Sequence, residues 1–237
     1  MQDSIIPQKY KKLSGSALKT IALVCMLIDH VAFSLSKKLG MTLFTIGSKN
    51  FTAYTLMRYI GRISFPIYCF LLVEGFLHTG DRKKYALRLF IFALISEIPW
   101  NLLHSGKLTY SGQNVFFTLC LGCLGMMCMD SFRDDRLRML LGLLGLLAVS
   151  VLLRADYGIS GFCFIIMMYA LREQKILQAV VGCGFLSSTW IAGLAFIPIN
   201  LYNGERGFIK GRFLQYCYYA IYPVHFFILY LIRKSML

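Results

Sequence analysis

Long runs of apolar residues alternate with short polar segments along most of the chain. Read as helices, these runs predict an all-α, polytopic transmembrane helical bundle of about eight spans, several of them short for a full crossing. The predicted spans cover roughly residues 16–36, 59–78, 85–103, 114–130, 137–153, 158–171, 176–200 and 214–233. The apolar part of the first span, residues 17–35, extends about 28 Å as a helix, close to the hydrocarbon thickness of a bilayer.

The segments between the runs are short and predict a simple domain organisation. Residues 1–237 are expected to form a single integral membrane domain, with residues 1–15 as an N-terminal cytoplasmic tail. Residues 41–58 mix apolar and polar side chains, so this segment is expected to lie at the membrane interface.

The composition agrees with a membrane protein. Of 237 residues, 57% are hydrophobic and 15% are charged, and the mean hydropathy is +0.63. A soluble protein of this length with this composition would have too few polar residues to cover its surface. The net charge of +14 comes from short basic clusters between apolar runs, which indicates cytoplasmic loops and anionic lipid headgroups as partners and no nucleic acid.

The basic residues also predict an orientation. With the N-terminus in the cytoplasm, the inner segments hold fifteen lysines and arginines and the outer segments hold ten. This bias predicts a multi-pass protein of a bacterial-type plasma membrane with both termini cytoplasmic and the 201–213 loop outside.

Eight cysteines lie within or beside the apolar runs. Cys120 and Cys123 form a CxxC pair, but no second pair and no nearby histidine completes a set of metal ligands. We therefore expect free thiols that pack as small apolar side chains, and no metal.

Ionisable and polar residues interrupt the apolar runs, where a buried charge costs several kcal/mol unless it is paired or hydrated. The candidates are Asp29 and His30 in the first run, Arg62, Glu74 and His78 in the second, Glu97 in the third, Asp156 and Tyr157 in DYGISG, Asn200 in NLYNGERG, and Tyr222 and His225 in the last run. Except for Glu74 and His78, they come from the outer halves of the predicted spans, which predicts a hydrated cavity. The alternatives are polar clamps between helices and, for DYG and NGERG, plain turns.

The residue types limit the chemistry of such a cavity. Histidine is the usual residue for moving a proton near neutral pH, and His30 lies inside a predicted span. There is no GxSxG, HExxH or Walker motif. Acyl transfer between two bound substrates needs only a base and a donor or positive charge for the developing oxyanion, which His30, Arg62 and nearby tyrosines can supply.

Several stretches resemble the TraX family, which is named for a conjugative-pilus protein that acetylates the N-terminus of pilin. They are LSGSALKTIALVCMLIDH, GRISFPIYCFLLVEGFLHTGDRKKYALRLFIFALISEIPW, DYGISG, NGERG and YPVHFFILY, in order between residues 13 and 233. The resemblance implies a polytopic membrane acetyltransferase that uses acetyl-CoA as co-substrate and a protein, peptide or glycan as acceptor.

A fainter likeness extends to the wider integral-membrane acyltransferases, whose first helix carries an arginine, ten residues and a histidine. Here Lys19 takes the arginine position and His30 the histidine position, which implies that His30 is the general base. The catalytic candidates are His30, Asp29, Arg62 and Glu97. The candidates for binding acetyl-CoA are Lys19 and Arg58. The substrate-site candidates are Glu74, Asp156, Tyr157, Asn200, Tyr222 and His225.

Two other classes of protein remain open at this stage. A transporter or proton-coupled carrier also places acids, histidines and arginines inside the membrane, although no internal repeat relates the two halves of this chain. A non-catalytic pilus-assembly or scaffold protein would bind no acyl-CoA.

Overall fold

A computed structural model describes residues 6–36, 40–46 and 49–236. Residues 1–5 of the predicted tail and residues 47–48 of the predicted interfacial segment lie outside these ranges. The chain divides into two compact units, which are described separately. The first unit comprises Met1–Tyr68 and Lys175–Leu237, and the second comprises Cys69–Gln174.

The described residues are mostly helical, with one small sheet. The α-helices and strands are α1 (Gly15–Ser34), β1 (Thr42–Ile46), β2 (Lys49–Thr52), α2 (Ala53–Gly61), α3 (Ser64–His78), α4 (Arg82–Ser105), α5 (Val115–Ser131), α6 (Arg136–Leu152), α7 (Gly158–Ala170), α8 (Lys175–Phe185), α9 (Phe196–Asn200) and α10 (Arg212–Ser235). Two 3₁₀ segments cover Gln8–Tyr10 and Ser187–Ala195.

Three helical segments of the described residues are long and apolar enough to cross a membrane. They are Gly15–Ser34, Ala53–His78 and Arg82–Ser105. These segments agree with a helical membrane protein, but the count of about eight spans is not confirmed. The predicted span 176–200 is not one α-helix, because it divides into α8, a 3₁₀ segment and α9.

Prolines affect the long helices less than the sequence suggests. A proline inside a helix usually kinks or breaks it, yet α4 continues past Pro99 to Ser105. Pro66 lies in the first turn of α3, where a missing backbone N–H costs nothing because the first four N–H groups of a helix have no partner within it. The interruption lies instead at residues 62–63, between α2 and α3.

In the first unit, α1 packs against α2 and α10. Ser14 caps α1, because its hydroxyl accepts a hydrogen bond from the backbone N–H of Ala17 (3.3 Å). The buried face of α1 includes Leu18 and Ala22, and the hydroxyl of Ser64 donates to the carbonyl of Ala22 (2.9 Å). The hydrogen bond of Ser64 joins the middle of α1 to the first residue of α3.

Helices α1 and α10 run side by side in the same direction. The hydroxyls of Thr20 and Tyr218 are 3.1 Å apart, and further along the hydroxyl of Ser34 donates to the carbonyl of Leu229 (3.4 Å). The last turn of α10 therefore lies at the end of this pair opposite to Gly15. Since α10 is not among the three described segments that are long and apolar enough to cross a membrane, the prediction that both termini are cytoplasmic stays a prediction.

The 201–213 loop begins beside the N-terminal end of α1. The N–H of Leu13 donates to the carbonyl of Leu201 (3.0 Å), and the N–H of Asn203 donates to the carbonyl of Leu13 (2.9 Å). The expectation that this loop lies across the membrane from the N-terminal tail is therefore wrong. It depended on a strict alternation of eight crossings, and the segment 176–200 does not form a single crossing helix.

The segment between α1 and α2 contains an antiparallel hairpin that the all-α prediction lacks. Strands β1 and β2 pair Phe44 with Phe51, and the two rings stack with centroids 5.1 Å apart. The strands are rich in threonine, phenylalanine and isoleucine, which favour extended backbone over helix.

In the second unit, α5 packs against α4, α6 and α7. Two glycines of α5 allow α7 to come close. A Cβ atom added at Gly122 would lie 2.6 Å from Cδ1 of Ile165, and one added at Gly125 would lie 2.6 Å from Cδ1 of Ile166. Small residues at helix contacts are typical of membrane bundles.

Candidate functional site

The predicted base, His30, is hydrogen-bonded to a second histidine. Nδ1 of His30 lies 2.7 Å from Nε2 of His225, and the two rings stack with an interplanar angle of 11° and centroids 4.9 Å apart. His30 lies on α1 and His225 on α10, which are 195 residues apart in sequence. The parallel course of these helices brings the two imidazoles to the same level.

A backbone carbonyl decides which nitrogen donates in this pair. Nδ1 of His225 lies 2.8 Å from the carbonyl oxygen of Ile221, which can only accept. Nδ1 of His225 therefore carries a proton, and Nε2 of the neutral ring is an acceptor. It follows that Nδ1 of His30 donates to His225 and that the lone pair of neutral His30 lies on Nε2.

Aromatic rings surround the histidine pair. The ring of Phe226 lies 4.5 Å from that of His30 and 4.4 Å from that of His225, centroid to centroid. The ring of Tyr222 meets both imidazoles edge-on, at 6.3 Å and 5.6 Å. His225, Tyr222 and Phe226 are buried. This packing leaves little room for either imidazole to turn.

Asp29, the neighbour of His30 in sequence, points to a different helix. Its Oδ2 is 2.5 Å from a guanidinium nitrogen of Arg58 on α2. Arg62, just after α2, adds a second positive charge that acts on the same carboxylate. Arg58, expected to bind acetyl-CoA, is therefore occupied by an ion pair.

The contact between α1 and α2 requires a glycine. A Cβ atom added at Gly61 would lie 2.1 Å from Oδ1 and 2.2 Å from Cβ of Asp29, far closer than atoms can approach. Oδ1 of Asp29 is buried, and among the described residues it has no hydrogen-bond partner. A buried acceptor without a partner costs about 1–3 kcal/mol, so this oxygen is a candidate for contact with a bound molecule.

Lys19 lies near the opposite end of α1, together with Arg206 from the NGERG segment. The backbone N–H and the hydroxyl of Ser16 donate to the carbonyl of Arg206 (2.9 and 2.7 Å), and Arg206 interacts electrostatically with Lys19. Gly207 has a φ of +83°, and a Cβ there would lie 2.3 Å from the hydroxyl oxygen of Ser14. NGERG is thus a turn that brings a second cation to Lys19.

Glu97 belongs to the second unit, where it contacts the cap of a helix. It accepts a hydrogen bond from Nδ2 of Asn114 (2.7 Å), which also donates to the carbonyl of Ala93 (2.8 Å). Oδ1 of Asn114 caps α5 by accepting from the N–H of Phe116 (3.1 Å). Glu97 therefore holds a buried asparagine that joins α4 to the start of α5, and its catalytic role stays a prediction.

The remaining substrate-site candidates have local partners. Glu74 and His78 lie one turn apart on α3, with Nδ1 of His78 3.9 Å from Oε2 of Glu74. Asp156 accepts from the N–H of Tyr157 (3.0 Å) in a turn where Tyr157 has a φ of +63°. Asn200 donates to the carbonyl of Phe196 (2.7 Å) within α9.

These contacts assign the predicted residues to the two units. The first unit contains Lys19, Asp29, His30, Arg58, Arg62, Asn200, Tyr222 and His225, and the second contains Glu74, Glu97, Asp156 and Tyr157. Within the first unit, His30 meets His225 and Tyr222, and Asp29 meets Arg58 and Arg62. A single cavity lined by all of these residues stays a prediction.

Sequence reasoning missed a polar cluster in the second unit. Asp130 forms an ion pair with Arg82 (2.5 Å) and accepts a hydrogen bond from the hydroxyl of Tyr169. The guanidinium group of Arg172 lies 4.3 Å from the centroid of the Tyr169 ring. Asp130 stands near the end of an apolar run and Arg82 in the basic stretch DRKK, so both resemble ordinary loop charges in sequence.

One family model and one relative match nearly the whole chain. The family model described as TraX protein matches residues 14–233. A probable fimbrial assembly protein of Dichelobacter nodosus, FimC of serogroup H1, is 30% identical over 242 aligned residues that cover 90% of this chain and 92% of the relative. An uncharacterized protein of Rickettsia prowazekii is 31% identical over 105 residues, which cover 44% of this chain and 33% of that protein. No solved structure matches.

Proposed function

This chain belongs to the TraX family, and on that premise we propose that it is a membrane-embedded acetyltransferase. It moves an acetyl group from acetyl-CoA to an amine or hydroxyl of an extracytoplasmic or membrane-associated acceptor. The fimbrial relative favours an acceptor among fimbrial proteins, and the family's namesake, which acetylates a pilin N-terminus, favours a free N-terminal amine as the acceptor group. His30 is the general base, and Asp29 and Arg62 set the charge around it.

One observation carries this proposal: an imidazole of defined tautomer inside an apolar helix, next to a carboxylate with an unused oxygen. Thr20 and Ser34 also join α1 to α10, and Asp29 joins α1 to Arg58 of α2 through Oδ2 alone, which leaves Oδ1 outside this helix contact. Burying a polar group costs free energy. A buried polar group that helix packing does not require is therefore a candidate for function.

The reaction needs one proton to move twice. The acceptor nitrogen attacks the thioester carbonyl carbon, and His30 takes the proton of that nitrogen at Nε2. The C–S bond then breaks, and His30 returns the proton to the departing sulfur, so the products are an acetamide and a free thiol. A positive charge near the carbonyl oxygen lowers the barrier by stabilising the developing oxyanion, the role proposed for Arg62.

The cations of the first unit differ in their fitness to bind the phosphates of acetyl-CoA. Arg58 does not fit, because Asp29 already occupies it. Lys19 fits better, because the charge of Arg206 acts on it, and an anion bound near both cations relieves the repulsion between them. We therefore assign phosphate contact to Lys19 with Arg206, and a helix-joining role to Arg58.

A second function is favoured by the D. nodosus relative, which is described as a probable fimbrial assembly protein. In that case the chain is a non-catalytic membrane component of pilus assembly, and the polar pairs on α1 are clamps between helices. The two functions differ in one respect that can be measured directly, the transfer of an acetyl group.

The test is incubation of the purified protein with isotopically labelled acetyl-CoA and defined acceptors, followed by mass spectrometry. The acceptors are a peptide with a free N-terminal amine, the same peptide with a blocked N-terminus, and an amino sugar. We expect label on the free-amine peptide. Label on none of the three, from protein shown to be folded, would favour the assembly role.

A further inference from the structure

The histidine pair carries a further inference, which rests on the proposed function of His30. We propose that His225 is the positioning residue of this site. By accepting a hydrogen bond from Nδ1 of His30, it keeps the proton of the neutral imidazole on Nδ1 and the basic lone pair on Nε2. His225 itself is neither the base nor a substrate contact.

The hydrogen bonds of the histidine pair start at a backbone carbonyl, which can only accept. The carbonyl of Ile221 accepts from Nδ1 of His225 at 2.8 Å, and a carbonyl has no proton to donate. Nε2 of His225 is then the acceptor in the 2.7 Å contact with Nδ1 of His30. One backbone oxygen thereby sets the tautomer of two side chains in series.

The chain of hydrogen bonds also suits a base that becomes positively charged. When His30 takes a proton at Nε2, its Nδ1–H becomes a stronger donor, and the bond to His225 becomes charge-assisted. In Ser–His–Asp sites a carboxylate does this for the catalytic histidine. Here a neutral imidazole accepts instead, which orients His30 without adding a negative charge to an apolar helix.

The packing holds the acceptor ring in this orientation. His225 is 7% exposed and Phe226 is 0% exposed, and the ring of Phe226 lies 4.4 Å from that of His225. The same contacts exclude His225 as the base, because one nitrogen faces Ile221 and the other faces His30. A base must have a nitrogen that can reach the acceptor.

The first test measures the tautomer and does not require activity. Protein with ¹⁵N-labelled histidine is compared by NMR in the wild type and in His225→Leu, with the His30 signal assigned by its loss in His30→Gln. We expect wild-type His30 to carry its proton on Nδ1. In His225→Leu it should change to the Nε2–H form, which free imidazole side chains prefer. An Nε2–H form in the wild type would overturn the proposal.

The second test separates positioning from helix packing. We expect His225→Leu to lower kcat by about tenfold or more with KM unchanged, since loss of the correct tautomer costs more than this in Ser–His–Asp sites. His225→Gln should recover much of the loss, because its side-chain oxygen can accept from Nδ1 of His30. Equal kcat in the two variants would contradict the proposal.

Ser34→Ala is the matched control, because it removes a polar contact between α1 and α10 one turn beyond His30. We expect it to retain the wild-type kcat, and a fall equal to that of His225→Leu would assign the histidine pair to packing. If the tautomer is as expected and no acetyl transfer occurs, the proposed function fails and the orientation of His30 stands. If transfer occurs with the other tautomer, only the positioning role fails.

Discussion

Two aspartates of this protein, Asp29 of α1 and Asp130 of α5, lie within apolar helices, and their surroundings differ. In the second unit, Asp130 has an arginine on one oxygen and a tyrosine hydroxyl on the other. In the first unit, Asp29 has Arg58 on one oxygen, while its buried Oδ1 has no hydrogen-bond partner among the described residues. A carboxylate with both oxygens satisfied has the features of a structural clamp, and one with an unused oxygen has those of a site.

The cations around the two aspartates differ in the same way. Arg82 forms an ion pair with Asp130, and its guanidinium group also lies over the ring of Phe76, 4.5 Å from the centroid. Around Asp29, Arg58 pairs with one carboxylate oxygen, and Arg62 adds a second positive charge that acts on the same carboxylate. The second positive charge and the unused oxygen both belong to the surroundings of Asp29, which is the sequence neighbour of His30.

The largest effect that this comparison predicts concerns arginines. Arg62→Ala should lower acetyl transfer by about 10²–10³-fold, the usual cost of removing one group that stabilises an oxyanion. Arg82→Ala is the matched variant of the second unit and should leave the rate per folded molecule unchanged. The measurement is the initial rate of transfer divided by the amount of folded protein. Equal losses in the two variants would remove the distinction between site and clamp.

The next effect concerns the close approach of α1 and α2. Gly61→Val places a side chain within 2.1 Å of Asp29 Oδ1 and should destabilise the protein by about 1–3 kcal/mol, with loss of the Asp29–Arg58 pair. Gly145→Ala is the control, because a Cβ there meets nothing within 4 Å. Thermal unfolding in detergent measures both. Wild-type stability of Gly61→Val would show that the two helices are not in contact at this position.

A smaller effect is expected in the cluster of the second unit. Asp130→Asn loses the ion pair with Arg82, whose side chain is 42% exposed, so the free energy of unfolding should fall by only about 1 kcal/mol. The rate of transfer per folded molecule should not change. A variant with normal stability and a reduced rate would place Asp130 in the functional site and reverse the comparison.

The smallest effect is expected at Glu97. Glu97→Gln keeps an oxygen that can accept from Nδ2 of Asn114, so stability should change by less than about 0.5 kcal/mol. If Glu97 only holds the cap of α5, transfer should also be retained, and that is the expected result. A large fall in rate at normal stability would return Glu97 to the catalytic group predicted from the sequence.

Hydrophobic patterning predicted the helices better than it predicted their arrangement. Apolar runs indicated most helices within a few residues, because burial in lipid demands helical backbone. The hairpin of β1 and β2 was missed, since a short mixed segment has no clear period. The charge count separated the 201–213 loop from the N-terminal tail because it presumes that every apolar run crosses the membrane, whereas the loop begins beside Leu13.

For the site, the sequence indicated the residues but not their partners. Asp29, His30 and Arg62 stand out because charge is rare in apolar runs. Asp29 pairs with Arg58, and His30 hydrogen-bonds His225, only because separate helices come together in the fold. The requirement for Gly61 has no signal in one sequence, because a glycine at the end of a helix is common for other reasons.

The most direct test of the central claim, that His30 is the base of an acetyltransferase, measures transfer and binding in the same variant. His30→Ala should lose acetyl transfer by about 10²–10⁴-fold at saturating acetyl-CoA. Its affinity for acetyl-CoA should be retained, because the nucleotide and pantetheine make most of the contacts. Ser34→Ala, prepared in the same way, should behave as the wild type. Full activity of folded His30→Ala would contradict the claim.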